Sequence, residues 1–360
     1  MTKNILFFSA EAGGAEVLTP VVRLLRNSPL YEICVLSYGH GRKRFLANGI
    51  ECVETGKIVK GDRDALERYH PDLIITSAAG IPRFDMSDKY LWETARETGI
   101  KTIAFLDQWQ NYAMRFSGVE EGERLAYLPD LINCIDHFGL EEMKSEGFPE
   151  DMLVPLGHPY LFERQGCYAS ANAVKARNKV PGGPFAFEQA STILFVSEAI
   201  REHFGAERGY DQYDALGMLL ESMAGASRKS GLIIKLHPKD RLESFSHVAP
   251  ADKGIDIRFV KDELSPIECL CIADTLFGMT SILLIEAFLV GKKVVSLQPG
   301  LKGPDHLILS RRGLVPVFRE RQRFDPFGFT AADPARFPVH FDTERFLQLL
   351  DEILSVQSFT

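Results

Sequence analysis

Apolar runs of four or five residues, nearly free of polar interruption, recur along this chain, each separated from the next by an amphipathic stretch. Ile5–Phe8, Ile33–Leu36, Leu73–Thr76, Thr102–Leu106 and Leu131–Ile135 form one series; Thr192–Val196, Leu232–Leu236, Asp256–Val260 and Lys293–Leu297 form a second. A strand apolar on successive residues must be covered on both faces, which is the condition of a parallel sheet flanked by helices. The stretches between them read as those helices: Glu16–Arg26, Gly41–Asn48, Tyr90–Thr98 and Leu140–Glu146, then Tyr210–Ser227, Pro266–Cys271 and Ile282–Val290. Shorter strands are expected at Glu51–Glu54, Met152–Leu156, Thr275–Phe277 and Val315–Phe318.

The alternation lapses over residues 163–190, where Gly166, Pro181, Gly182, Gly183 and Pro184 gather, and then restarts. A chain of 360 residues is also too long for one ordinary core. The expectation is α/β: two doubly wound domains facing each other across a cleft. The boundaries are a first domain over 1–160, a linker over 161–190, a second domain over 191–340 and a closing helix, Thr343–Leu354, within 341–360. Ligands of open α/β sheets sit beyond the carboxyl ends of the strands. Chemistry is therefore sought in the residues that follow each strand.

Composition removes several classes. Asp plus Glu outnumber Lys plus Arg by 49 to 41, so general affinity for nucleic acid is not expected, though a local basic pocket can hold a small phosphate ligand. No apolar window is long enough to span a membrane, and Ile5–Ala10 meets Glu11 too soon for a signal peptide. The six cysteines, Cys34, Cys52, Cys134, Cys167, Cys269 and Cys271, form no C-x-x-C pair, so neither a zinc site nor a disulfide frame is indicated. A reduced, cytoplasmic protein is the default. A peripheral role at the inner face of a membrane stays open.

After the first strand, Ser9-Ala-Glu11-Ala-Gly13-Gly14-Ala-Glu16 enters a helix. Two glycines admit close approach of a ligand to the backbone, and the helix N-terminus offers free N–H groups. The segment is neither a Walker loop nor G-x-G-x-x-G. Glu11 is a candidate general base. Asp107-Gln-Trp109-Gln-Asn111-Tyr112 follows another strand and combines a carboxylate, an aromatic platform and amides, a set suited to a sugar. In the second half, Ser197-Glu198 follows the first strand, Ser197 as a phosphate contact and Glu198 as a base. Lys235-Leu-His237-Pro238 follows the next, with Pro238 expected to open a helix behind His237. An imidazole there can donate to, or protonate, a phosphate oxygen. Gly278-Met-Thr280-Ser281 then turns into a helix that carries Glu286 and ends at Gly291; its N–H groups and hydroxyls make an anion seat, and Glu286 is placed to meet a ribose. Gly157-His158-Pro159 reads as a hinge, with His158 structural.

Lys235-x-His237-Pro238, followed by Thr280-Ser281-x4-Glu286-Ala287-x3-Gly291, resembles the C-terminal half of GT-B nucleotide-sugar glycosyltransferases. It is nearest the branch with a His-Pro motif and a serine motif, which includes bacterial sialyltransferases, polysialyltransferases and CDP-glycerol glycerophosphotransferases. The Glu-Ala-x3-Gly segment is also similar to UDP-GlcNAc 2-epimerases. The detailed match spans about 60 residues. In that branch the histidine and the serine motif bind the donor's phosphate, roles the resemblance implies for His237, Thr280 and Ser281. The sequence departs in having Thr280 for the first serine, and it shows no clear acidic base motif.

The resemblance implies two Rossmann-like domains, with the closing helix packed toward the first, and a metal-independent transferase for envelope or surface polysaccharide synthesis. Its donor would be CMP-, CDP- or UDP-linked and its acceptor a saccharide or glycolipid, with no other cofactor and no metal. The donor site is expected to comprise Ser197, Lys235, His237, Pro238, Gly278, Thr280, Ser281 and Glu286. Gly13, Gly14, Trp109 and Asn111 would meet the acceptor, and Asp107, Glu11, Glu198 and His237 are the candidate catalytic groups. Two alternatives stand beside it: a sugar-nucleotide 2-epimerase of the same fold, with Asp107, Glu11 and Glu198 as acid–base groups, and a non-catalytic nucleotide-binding or scaffolding partner in a polysaccharide assembly.

Overall fold

A computed structural model describes residues 2–166, 191–226, 230–245 and 255–356. Most of the expected linker, residues 167–190, lies outside the described residues, as do Cys167 and Ser227. The chain divides into two compact units, Met1–Arg164 with Val339–Thr360, and Gln165–Pro338.

Unit 1 is built on seven strands: β1 (Lys3–Ser9), β2 (Tyr31–Ser37), β3 (Val53–Glu54), β4 (Leu73–Ser77), β5 (Lys101–Phe105), β6 (Leu131–Asn133) and β7 (Leu153–Val154). They lie in the order β3-β2-β1-β4-β5-β6-β7, and every pair is parallel. Alternation along β1 explains its unbroken apolar text. Ile5 and Phe7 face one core, with the helix Ala12–Arg26; Leu6 and Phe8 face another, with Leu91 and Ala95 of the helix Ser87–Thr98. The helix Thr343–Val356 belongs to this unit, and its Phe346 and Leu350 are buried in the β1 core. The chain returns to the unit at Gly157, which pairs with Phe341; Gly157 has φ +105, and a side chain there would collide with the carbonyl of His340.

Unit 2 repeats the plan with β8 (Thr192–Val196), β9 (Gly231–Lys235), β10 (Asp256–Val260), β11 (Thr275–Gly278), β12 (Lys293–Leu297) and β13 (Val317–Phe318). Their order is β10-β9-β8-β11-β12-β13, again all parallel. Both sheets therefore run outward in opposite directions from their first strand. Each has its topological switch point between the first and fourth strands, β1/β4 and β8/β11.

Three helices begin three or four residues earlier than expected. The first opens at Ala12, not Glu16, and carries Gly13 and Gly14 in its first turn. It continues through Pro20, whose missing N–H leaves one carbonyl of the preceding turn without its usual donor. Ser87–Thr98 and His137–Ser145 also start three residues early. The long helix of unit 2 is shorter than expected, Gln212–Ala224, because Asp211 caps it through a capping box with Asp214.

Candidate functional site

At the switch point of unit 1 the chain gathers five charged side chains. Glu11 stands two residues beyond β1, and its Oε2 accepts the N–H of Gly80, beyond β4, at 3.1 Å. Asp107, two residues beyond β5, is ion-paired through Oδ1 with Arg115 Nη1 at 2.8 Å. Arg115 is 4% exposed. It also donates to the carbonyls of Ala78 at 2.7 Å and Gln110 at 3.0 Å, so one guanidinium ties the β4 loop to the β5 loop. Asp88 and Lys89, at the start of the helix Ser87–Thr98, complete the group from behind the β4 loop.

Burial, and secondly the charge of Asp107, raise the Glu11 carboxyl above its ordinary range, against the opposing pull of Arg115 and the Gly80 N–H. The two carboxyl groups thus stand in different surroundings, Glu11 against one N–H and a like group, Asp107 against a guanidinium, an arrangement suited to a proton donor beside an acceptor. Gly13 lies directly against Asp107, and a methyl group there would collide with the carboxylate.

The remaining expected members of this site are placed differently. Gly13 and Gly14 do not form a ligand loop. Gly14 is buried in the helix against the hydroxyls of Ser9 and Ser77, with no room for a Cβ, so its role is close helix–sheet packing. Trp109 is no open platform either. It is 3% exposed and packs on the ring of His158, 5.7 Å away. Asn111 is half-buried in the left-handed region, φ +57, where it starts the helical turn Tyr112–Arg115. His158 is structural: Nε2 meets the Asp107 carbonyl at 3.1 Å, Nδ1 accepts the Leu161 N–H at 3.3 Å, and burial pushes the imidazole down to about 4.

At the switch point of unit 2 the N–H groups of a helix end converge, and the chain occupies them itself. Ser281 is the N-cap of the helix Ile282–Leu289, its hydroxyl accepting from the Leu283 N–H. Glu198, two residues beyond β8, takes the N–H groups of Met279 at 3.2 Å, Thr280 at 2.6 Å and Ser281 at 2.9 Å on Oε1, and the Thr280 hydroxyl at 2.6 Å on Oε2. Burial raises this carboxyl too, against the hydrogen bonds from Thr280 and Ser281 and the charge of Arg208. A carboxylate so engaged is not poised as a base.

His237 follows β9, half-buried. Its N–H donates to Asp240 Oδ2 at 2.8 Å, and its Nδ1 accepts the Lys239 N–H at 3.1 Å. Pro238 does not open a helix. It sits inside a turn closed by the Asp240 N–H on the His237 carbonyl at 2.9 Å, a position its fixed φ suits. The basic groups beside His237 are instead His203, with ring centroids 6.0 Å apart, and Lys239, whose Nζ lies 2.7 Å from His203 Nε2. Lys235 turns away, donating to the carbonyls of Lys261 and Leu264. Ser197 lies beside Asp240, whose carboxyl burial raises and Ser197 draws back down. Gly278 packs against Val196, and Glu286 is 1% exposed within its helix. Gly291 ends that helix at φ +72, as expected.

Sequence reasoning missed Arg115, Asp88, Lys89, His203 and Arg208. None falls in a motif or in the first residues after a strand. Among the described residues no cluster of three His, Cys, Asp or Glu is placed to hold a metal ion. No helix among them is long and apolar enough to cross a membrane.

The fold and both strand orders define a two-unit, doubly wound α/β class of the GT-B type. No family model matches the chain, and no curated protein matches it by sequence. Solved structures do match. The UDP-GlcNAc 2-epimerase of Neisseria meningitidis, bound to UDP-GlcNAc, aligns over 97% of this chain and 91% of its own, with 12% identity and TM-score 0.58. The UDP-GlcNAc 2-epimerase of Methanocaldococcus jannaschii aligns over 98% and 100%, with 12% identity and TM-score 0.57. HepE of Anabaena, in complex with UDP and glucose, aligns over 90% and 87%, with 11% identity and TM-score 0.56. At such identities the likeness carries the fold.

Proposed function

We propose that the chain is an enzyme acting on a nucleotide-linked sugar, and that its reaction is an acid–base isomerisation of the sugar, of the 2-epimerase kind. The observation that carries this is the Glu11–Asp107 pair: one buried carboxyl raised above its ordinary range beside a like group, the other ion-paired with the Arg115 guanidinium. Inverting a ring carbon requires one proton to leave and one to return, a task for two such groups. Two of the similar folds reported above act on UDP-GlcNAc, which makes a UDP-linked sugar the first substrate to try. His237, with His203 and Lys239, is proposed to meet its phosphates. Thr280 and Ser281 are given a smaller part than the sequence suggests, since Glu198 occupies their N–H groups.

Glycosyl transfer, the sequence-based expectation, has less support. Its aromatic acceptor platform, Trp109, is buried. The test is incubation with UDP-GlcNAc in deuterated water without any acceptor. Deuterium at C2 and a second UDP-sugar epimer are expected. A chain that shows neither, yet transfers sugar when an acceptor is supplied, is a transferase.

A further inference from the structure

Asp88 and Lys89 are adjacent, oppositely charged and fully buried, at 2% and 0% exposure. Burying two charges is costly, and an apolar pair of similar volume often serves stability as well or better. Packing alone therefore gives no reason for them.

Their contacts do. Asp88 Oδ2 accepts the Ala79 N–H at 2.5 Å; Oδ1 accepts the Lys89 N–H at 2.9 Å and meets Lys89 Nζ at 3.4 Å. Lys89 Nζ reaches the Ala79 carbonyl at 3.5 Å. The residues on either side of Ala79 are the ones that meet the reactive pair: Ala78 through its carbonyl on Arg115, Gly80 through its N–H on Glu11. All three loop residues are thus held by charged side chains from three separate elements.

We infer that Asp88 and Lys89 are positioning residues, which clamp Ala79 so that Gly80 meets Glu11 and Ala78 meets Arg115. They touch neither carboxyl of the reactive pair through a hydrogen bond. They act through the β4 loop. The inference deepens the proposed function and rests on its assignment of Glu11. The charged groups that face Glu11 are Asp107, Arg115 and Asp88; Asp88 in turn faces Lys89 and Asp85. If the clamp is released, Glu11 loses an N–H bond that favours its ionised form and should hold a proton more tightly; loss of the Asp88 charge, which also raises Glu11, pulls the other way, so a net upward shift reports the loop.

The test uses the full chain carrying Asp88→Leu with Lys89→Met. This double variant keeps the volumes and removes both charges and the acceptor of the Ala79 N–H, and replacing a buried ion pair by apolar groups is expected to leave its denaturation midpoint near that of the unaltered protein. Carboxyl-carbon NMR, with Glu11→Gln to assign the signal, should show Glu11 titrating about one pH unit higher, a tenfold change in its proton affinity. The limb of the pH–rate profile that belongs to Glu11 should move with it, with turnover reduced and KM unchanged. A stable double variant in which Glu11 titrates at its original pH overturns the inference. If the double variant does not fold, Lys89→Met alone, in which Asp88 can take up a proton, is read by the same titration. A shift in the same direction supports the clamp and no shift refutes it. The titration needs no substrate. A shifted Glu11 in a chain without C2 exchange leaves this inference standing while removing the epimerase reading.

Discussion

Each sheet places a glutamate two residues beyond its first strand, at its switch point, and the two have opposite surroundings. Glu198 in unit 2 receives three N–H groups and a hydroxyl from one helix N-terminus. Glu11 in unit 1 receives one N–H, from Gly80, and faces a second carboxylate. Both are buried and both titrate above the ordinary range, yet the same shift has different meanings. Four donors make Glu198 part of the framework, a substitute within the chain for the anion that a helix end attracts. One donor and a neighbouring carboxyl group leave Glu11 far less engaged. The shift alone does not tell a structural carboxyl from a reactive one; the count and kind of partners does.

That contrast can be broken experimentally. The largest effect is expected from Glu11→Gln, which should lower turnover by about two to four decades while the denaturant midpoint stays nearly fixed. A stability loss comparable with that of Glu198 variants would erase the distinction. Glu198→Ala should do the reverse, costing about 3 kcal/mol or more by leaving three N–H groups at a buried helix end without an acceptor. Denaturant titration with an unchanged m-value is the measurement. Gly13→Ala should push the Asp107 carboxylate aside and cut turnover by about tenfold with little change in stability, since its neighbour is a side chain. His237→Ala should weaken UDP by about tenfold and leave uridine unaffected, read by calorimetry; equal loss for both would place His237 outside the phosphate site.

The smallest effects are in pH dependence, and their signs differ. Glu11 and Glu198 bind a proton more tightly folded than unfolded. Their contribution to stability is full below the ordinary carboxylate range and is lost as pH rises through their raised folded values. Glu11→Gln should flatten part of that slope. His158, pushed down to about 4 from 6.5, runs the other way: its contribution is full above 6.5 and is lost as pH falls toward 4. His158→Gln should remove the acid-side loss in a series of unfolding curves.

The parallel sheets were legible because unbroken apolar runs such as Ile5–Phe8 admit only a strand covered on both faces. The strand-end rule led to Glu11, Asp107 and His237. It did not tell which would share an environment, since that depends on strand order, and β1 lies beside β4 rather than between neighbours in sequence. Arg115 was invisible for the same reason: its partners at Ala78 and Asp107 meet it only once β4 and β5 pair. Gly13-Gly14 misled because two glycines usually mark a turn. Here the helix N-terminus is pressed so closely on Ser9 and Ser77 that no Cβ fits, and the glycines are helical. Trp109 misled because an aromatic residue among amides suits a sugar as well as it suits a core.

The pairing of Gly157 with Phe341 has a consequence for the order of events during synthesis. Unit 1 obtains Phe346 and Leu350 for its core from a segment translated only after all of unit 2. Unit 2 is contiguous and can close without any later segment, whereas the earlier-made unit must wait with an uncovered apolar face on β1 and β5. A released chain truncated after residue 338 should therefore protect unit 2 from protease while leaving unit 1 open to it.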